Sequence, residues 1–382
     1  MIMMGYIRKL INNKRLQRVY NSAAKGYLDY YQKVIRCNPE ILATKRHYEE
    51  EWLRKWRKYD KKLSPLAYRV FSYYIGENIN IMPMELCINI VERVLTPPSF
   101  SNYYSDKNSL GKIVPKEYFP PVFLRNVRNS FYDGEYVPLV ATDVDRLICN
   151  LSEEKVMLKP ARLDSGKGID VFYKSSDGFY NKNHDRLSKE YLDAYYKQDY
   201  LIQRCLVQSD FTAQFNPSSV NTIRIATYRD IKGQVHPLEA VLRIGAKGAV
   251  VDNSHSGGVA CGIGKNGEIG KYICDIHGNK QAVFNGIDFS NNHLLFPNYR
   301  EIQQFAVSVS QHVLHHDLVA LDIALDAEDK PTLLEINTYG FAGWIFQLLS
   351  GPIFGEYTDE VMERCYSQLS RLGLCVSIDM KK

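Results

Sequence analysis

The sequence predicts an α/β (α+β) chain with a helical N-terminal extension, and three observations carry that expectation. Over residues 1–62, Ile7, Leu10 and Ile11, then Trp52, Leu53 and Trp56, recur at three- and four-residue spacing among Arg and Lys, the pattern of an amphipathic helix. After Leu151 the texture changes to short β-rich runs separated by Gly, Asn and Asp turns. Near the end, two apolar strands at 318–325 and 331–338 are each interrupted by an acid. With 382 residues, 45% of them hydrophobic and 24% charged, the chain can bury a large core and divides into two or three domains.

In chain order, residues 1–62 form the expected basic helical extension, broken in two at Asn38-Pro39, where the residue before proline leaves the helical region. This segment holds 16 Lys and Arg against 6 Asp and Glu, so the overall +5 resolves into +10 here and −5 over the rest. From Ser64-Pro65, residues 63–150 read as a small α/β unit with a helix at 83–95 and a Pro-rich stretch at Pro120-Pro121. Beyond it, strands are expected at 155–159, 170–173, 200–207, 222–229, 240–244, 318–325 and 331–336. No apolar run approaches the roughly 20 residues of a membrane helix, and no apolar leader follows Arg8 and Lys9, so a cytoplasmic protein is expected. The eight cysteines lie ten or more residues apart, which excludes a CxxC pair and implies reduced thiols.

Chemistry-bearing residues gather in two runs. Val156-Met157-Leu158-Lys159-Pro160 is an apolar strand ending in a lysine, followed by Asp164-Ser165-Gly166-Lys167-Gly168 and a second strand from Ile169 to Tyr173. The tip of such a hairpin can lay backbone N–H groups over phosphates while the strand lysine supplies a point charge. Neither GxxxxGK[ST] nor GxGxxG spacing is present, and a plain surface hairpin is the competing reading. In the second run, Asp322 and Glu335 each interrupt an apolar strand, which is costly unless the charge is paired or bound to a cation. Glu335 and Asn337, two apart, share a strand face, and with Asp322 opposite they present three hard oxygen donors suited to Mg²⁺. Pairing of these acids with nearby Arg or Lys is the alternative.

Lys159-Pro160, the Ser165–Gly168 loop and the D-x12-E-x-N pattern of Asp322, Glu335 and Asn337 together resemble the ATP-grasp superfamily. The stretch Asn216–Arg224, Val251-Asp252-Asn253 with Gly257-Gly258, and Gly351–Val361 are similar to its sugar-transfer-associated branch, so the resemblance runs from about Tyr103 to Cys365. It implies an ATP-grasp fold with nucleotide between two α+β subdomains: residues 63–150 a small N-terminal subdomain, 151–212 a lid with the glycine loop, and 213–382 a catalytic subdomain. ATP and Mg²⁺ are the implied cofactors. Lys107 and Lys159 would touch the α- and β-phosphates, and Ser165, Gly166, Lys167 and Gly168 would close over the β- and γ-phosphates. Gln203, Cys205 and Leu206 would follow the adenine edge, Asp210 the ribose, and Asp322, Glu335 and Asn337 the metal. Gln203 stands where the family often has Glu.

Arg224, in an otherwise apolar strand, needs an anionic partner. The resemblance assigns it, with Lys159, to the transferred phosphoryl group, and an ion pair with Asp322 or Glu335 is its other reading. Arg243, Asn253, His255, Ser256, Gly257 and Gly258 would bound an acceptor pocket; a Gly-Gly turn with an exposed histidine is the plain reading of that loop. The implied activity is an ATP-dependent carboxylate–amine ligase acting through an acyl phosphate on a sugar acid or other small metabolite, with no nucleic-acid partner. A small-molecule kinase is the alternative within enzymes. A binding module whose residues 1–62 dock on a membrane surface, nucleic acid or an acidic partner, with a vestigial ATP site, is the alternative outside them.

Overall fold

The computed structural model describes residues 2–163, 166–248, 257–291, 293–338 and 340–368, with backbone alone for 2–17 and 19. Two antiparallel sheets of seven strands organise it. The first is built from β1 (Val122–Val127), β2 (Ser130–Asp133), β3 (Pro138–Leu139), β4 (Lys155–Pro160), β5 (Asp170–Ser175), β6 (Gly178–Tyr180) and β7 (Tyr200–Arg204), in the order β3-β2-β1-β7-β4-β5-β6. The second contains β8 (Thr222–Arg229), β9 (Val235–Ile244), β10 (Val259–Ile263), β11 (Ile269–Cys274), β12 (Lys280–Gln281), β15 (Leu318–Leu325) and β16 (Pro331–Asn337), in the order β12-β11-β10-β9-β8-β15-β16. A short hairpin of β13 (Val283–Phe284) and β14 (Ile287–Asp288) stands apart from both.

Strand β15 is buried at all eight positions, as a strand covered on both faces must be. Its residues alternate between two cores. Leu318 and Ala320 join Tyr228, Val241 and the helices of the N-terminal third, whereas Val319 and Leu321 join Ile223, Leu242 and the helix Tyr299–His312. The first sheet has its own core of Leu124, Val156, Leu158, Phe172 and Ile202 against Val144, Ile148 and Leu192. Its opposite face carries Arg125 and Lys159, both in register with Leu201.

The break expected at Asn38-Pro39 is where the first helix, Ile2–Cys37, ends. The boundary expected at residue 62 does not divide the packing: Tyr31, Trp52 and Trp56 share one core with Phe71, Met82 and the second sheet. At Trp52, Leu53 and Trp56 helical spacing marked a buried stripe, but most of the described charges of this segment lie at the solvent surface and hide what the stripe packs against. No described helix is long and apolar enough to cross a membrane. Five of the seven described cysteines are buried, and all seven are free thiols.

The helix expected at 83–95 is continuous but contains a π-turn, Met84–Leu86 and Glu92–Leu95 flanking Cys87–Val91. It buries two acids. Glu85 accepts a hydrogen bond from Tyr31 Oη at 3.0 Å. Burial raises the carboxyl pKa from an ordinary 4.5 to about 7 in both Glu85 and Glu92. Between those values the folded state holds more protons than the unfolded chain, so stability falls as pH rises through that window. Each acid costs about 3 kcal/mol once both states are ionised. Thermal melts should therefore give a lower Tm at pH 8 than at pH 5, and Glu85→Gln combined with Glu92→Gln should flatten the difference; a parent Tm that rises between these pH values contradicts the account.

Candidate active site

The second sheet presents its charges at the meeting of three strands. Asp322 of β15 lies directly across from Arg224 on β8 and from Glu335 on β16. Arg224 donates Nε and Nη2 to the two oxygens of Asp322 at 2.7 Å each, and Arg243 of β9 adds Nη1 to Oδ2 at 2.9 Å. Burial alone would raise the Asp322 pKa, but the two guanidinium groups outweigh it and hold the carboxyl at about 2. The anionic partner required by Arg224 is thus Asp322. Two residues along the same face from Glu335 stands Asn337, whose Nδ2 is buried and makes no well-formed hydrogen bond.

The first sheet supplies cations. Lys159, at the end of β4, is 8% exposed. Burial, reinforced by Lys107 and Arg125 and opposed by Glu335, lowers its pKa to about 7. Lys107 comes from a short turn that Asp106 caps by accepting from the Asn108 N–H at 2.9 Å. Its Nζ donates to Glu335 Oε1 at 2.9 Å and to the carbonyl of Leu163, beside the glycine loop, at 3.1 Å. One ammonium therefore bridges the two halves of the molecule.

A cavity of about 900 Å³ lies between the sheets. Lys107, Lys159, Gly166, Lys167, Gln203, Leu206, Arg224, Arg243, Asp322, Glu335 and Asn337 all line it. Cys205, Asp210, Gly168, Gly257 and Gly258 are not among its described lining residues. Cys205 is buried beyond the end of β7, and burial pushes its thiol up to about 11. Asp210 is an exposed residue in the first turn of the helix Asp210–Ala213. Gly168, at φ +71°, is required by packing, since a Cβ there would lie 2.8 Å from Pro160 Cγ. Gly257 adopts φ +87° and Gly258 is buried. Ser165, Asn253, His255 and Ser256 lie outside the described residues.

Sequence reasoning missed Arg125, Thr222 and Trp344. Thr222 and Trp344 line the cavity. Arg125 is 1% exposed behind Lys107, donating Nη1 to the carbonyls of Lys107 at 3.4 Å and Asn108 at 3.3 Å. Its guanidinium carbon lies 4.3 Å from the Tyr136 ring centre. The available signal was an Arg-Asn pair inside the apolar run Val122–Val127, because a buried arginine marks a site that needs it.

Two lysines and two arginines around one cavity suit a polyphosphate, and two carboxylates with an amide oxygen suit a hard divalent cation. Among the described residues no group of three or more His, Cys, Asp and Glu gathers as a metal site, and the oxygen donors that β15 and β16 bring to the cavity are Asp322, Glu335 and the amide of Asn337. The Asn337 Nδ2, a donor, lies against Asp322 and helps to lower its pKa, so the amide oxygen is the atom that can serve a cation. The ion pairs on Asp322 and Glu335 join them to the cations that an anionic ligand would draw off. The donor set fits Mg²⁺ on these grounds.

Comparison with known proteins gives three results. A family model described as sugar-transfer associated ATP-grasp matches residues 130–361. No curated protein matches the chain. Similar solved structures include a D-alanine-D-alanine ligase from Coxiella burnetii at 13% identity, covering 70% of this chain and 60% of that one, with a TM-score of 0.36. An L-amino acid ligase from Bacillus licheniformis, at 13% identity, covers 65% and 47% with a TM-score of 0.37. A D-cycloserine synthetase, at 11% identity, covers 71% and 73% with a TM-score of 0.40. This chain thus spans about 60% of the first of these and under half of the second. Since the family match takes in both hairpins of the cavity and well over half of the sequence, the chain belongs to the sugar-transfer-associated ATP-grasp family.

Proposed function

We propose that this chain is an ATP-dependent carboxylate–amine ligase. The observation that supports it most is the convergence on one cavity of Lys107 and Lys159 from one side and Arg224, Asp322, Glu335 and Asn337 from the other. In this reading residues 63–150 and 151–212 hold the nucleotide, with the glycine loop as lid, and 213–382 supply the catalytic half. Gln203 and Leu206 meet the base. Lys107, Lys159 and Lys167 meet the phosphates.

A carboxylate oxygen of the acid attacks the γ-phosphorus of ATP, the bond to the β-phosphate oxygen breaks, and ADP leaves with that electron pair. The amine then attacks the acyl carbon, the bond to the phosphate oxygen breaks, inorganic phosphate leaves, and the amine proton passes to solvent. Lys159 and Arg224 neutralise charge that grows on the transferred group, and Arg243 orients the acid beside it. Mg²⁺ held by Asp322, Glu335 and Asn337 supplies further neutralisation of the phosphates when bound. The acid is a sugar acid or another small metabolite of polysaccharide or natural-product assembly. The protein does little covalent chemistry itself, and positioning and electrostatics carry the rate.

The reading is tested by incubating the chain with ATP, Mg²⁺ and a panel of acids, with and without amines. Acid-dependent ADP release, followed by phosphate and a new amide when amine is added, is the expected outcome. A stable phosphorylated alcohol would replace it with the kinase reading, and nucleotide binding without turnover would leave a binding module.

Two substitutions separate catalysis from folding. Glu335→Gln should cut turnover by at least ~100-fold while costing less stability than Asp322→Asn, because Glu335 is the more exposed acid, 22% against 6%, and its partner Lys107 keeps the Leu163 carbonyl as a second acceptor. Asp322→Asn should cost about 3 kcal/mol as well, because it removes a buried carboxylate that accepts three charge-assisted hydrogen bonds from Arg224 and Arg243. Denaturant melts and ADP assays on both variants check this, and equal stability loss in the two contradicts it.

Lys159 predicts a pH dependence. Free, it titrates near 7, and a polyphosphate beside it raises that value toward the ordinary 10.5. Nucleotide binding then takes up protons above pH 7, and affinity falls as pH rises from 7 to 9. Calorimetry in buffers of different ionisation heat should detect the uptake, and Lys159→Met should abolish it; no uptake in the parent refutes the assignment.

A further inference from the structure

The cavity has a wall that the nucleotide reading does not use. At about 900 Å³, it lies near the upper end of small-molecule sites. Tyr103, Ile276, Ala342, Trp344 and Ile345 contribute an uncharged surface to it, facing a site whose remaining lining is rich in Lys, Arg and carboxylates. Of the three tryptophans in the chain, Trp52 and Trp56 are core residues. Trp344 is the one that lines the cavity.

Trp344 is held from behind by the N-terminal helix. Tyr30 of Ile2–Cys37 packs against it with ring centres 5.5 Å apart and planes at 58°. Tyr30 in turn meets Tyr31 edge-on at 5.9 Å, and Tyr31 meets Phe71 at 5.8 Å and 86°. An aromatic chain therefore runs from the helical core to the cavity. The Tyr30 hydroxyl is buried without a hydrogen-bond partner, which is unfavourable for a phenol, so the position contributes its ring rather than its oxygen.

The strand alternation explains why this helix can reach the site. Arg224 is in register with Val241, and Asp322 lies two residues beyond Ala320, so these charges stand on the sheet face that carries Val241 and Ala320. Val241 and Ala320 belong to the core shared with Tyr31 and Phe71. The helical layer and the cavity thus occupy one face of the second sheet.

We propose that the N-terminal helix is part of the acceptor site. Tyr30 is a positioning residue for Trp344, and the wall of Trp344, Ile345 and Ile276 selects an acid whose body is a ring or a branched hydrocarbon. The carboxylate end of that acid meets Arg243 and Arg224, a detail that rests on the ligase reading. The apolar body and the role of Tyr30 rest on the wall alone. Burial of such a body against Trp344 discriminates against acids that lack one.

The experiment uses the full chain with four probes: 3-phenylpropionate, cyclohexanecarboxylate, acetate and glycine. Binding is read by tryptophan fluorescence, turnover by ADP release, and nucleotide binding by a fluorescent ATP analogue. Ring acids should bind at least tenfold tighter than acetate or glycine. Tyr30→Leu and Trp344→Leu should raise the KM for ring acids at least fivefold and leave the KM for ATP within twofold, and Tyr30→Phe should keep the parent values.

Acetate or glycine binding as well as the ring acids overturns the proposal, as does a Tyr30→Leu effect on ATP equal to that on the acid, or a Tyr30→Phe variant as impaired as Tyr30→Leu. Ile276→Gln provides a read independent of the helix should Tyr30→Leu unfold. It should lower the ring preference at least threefold, and an unchanged preference counts against the wall. Ring acids that bind without releasing ADP refute the ligase reading and leave this one standing, whereas ADP release driven by acetate alone does the reverse.

Discussion

The carboxylate of Asp322 between Arg224 and Arg243 is the interaction on which the rest of the structure depends. It ties β15, β8 and β9 together at the edge of a core whose neighbouring positions are apolar and buried. A charge in such a place is tolerated only when it is paired with good geometry, and the bidentate contact from Arg224 meets that condition. The consequence is a rigid floor. Glu335 and Asn337, on the strand that pairs with β15, inherit their positions from it.

The opposite wall is built on a different balance. Lys107, Lys159 and Arg125 crowd together with Glu335 as the one acid acting on Lys159. Their mutual repulsion, with burial, is what lowers Lys159, and it leaves this side short of negative charge. An anion entering between the sheets meets cations that are already desolvated, so its attraction to them is stronger than it would be at the surface. The Arg224–Asp322–Arg243 cluster carries one positive charge in excess, and of the wall cations Lys107 pairs with Glu335, so both sides of the cavity favour a polyphosphate.

Much of the site was legible because antiparallel pairing turns sequence spacing into geometry. In the hairpin of β15 and β16, however, the register at the turn, Leu325 with Pro331 and Ile323 with Leu333, would set Asp322 across from Leu334, and a bulge beside Asp322 brings Glu335 opposite it instead, a step that spacing alone does not show. The apolar runs at Thr222–Arg229 and Leu318–Leu325 have the strand limits expected of them. Strands β1 to β3 were missed, since β1 includes Arg125 and Asn126, polar residues whose burial is known only once the sheet is formed. The expected strand at 200–207 stops at Arg204, and of the residues expected beyond it Leu206 lines the cavity whereas Cys205 and Asp210 do not. Glu85 and Glu92 look like solvent-facing helix acids in a sequence, and only packing shows them buried.

Lys107 shows how the two halves communicate. Its single ammonium holds the Leu163 carbonyl beside the glycine loop and the carboxylate of Glu335 at the same time. An ammonium has three donors on a flexible stem, so it can exchange these partners for phosphate oxygens without moving the backbone turn that Asp106 caps. A ligand that draws Lys107 away frees the root of the loop and an oxygen of Glu335 together. The backbone at Leu163 and the carboxylate of Glu335 are thereby joined through one side chain, and an exchange of its partners requires no displacement of the Asp322 floor beneath it.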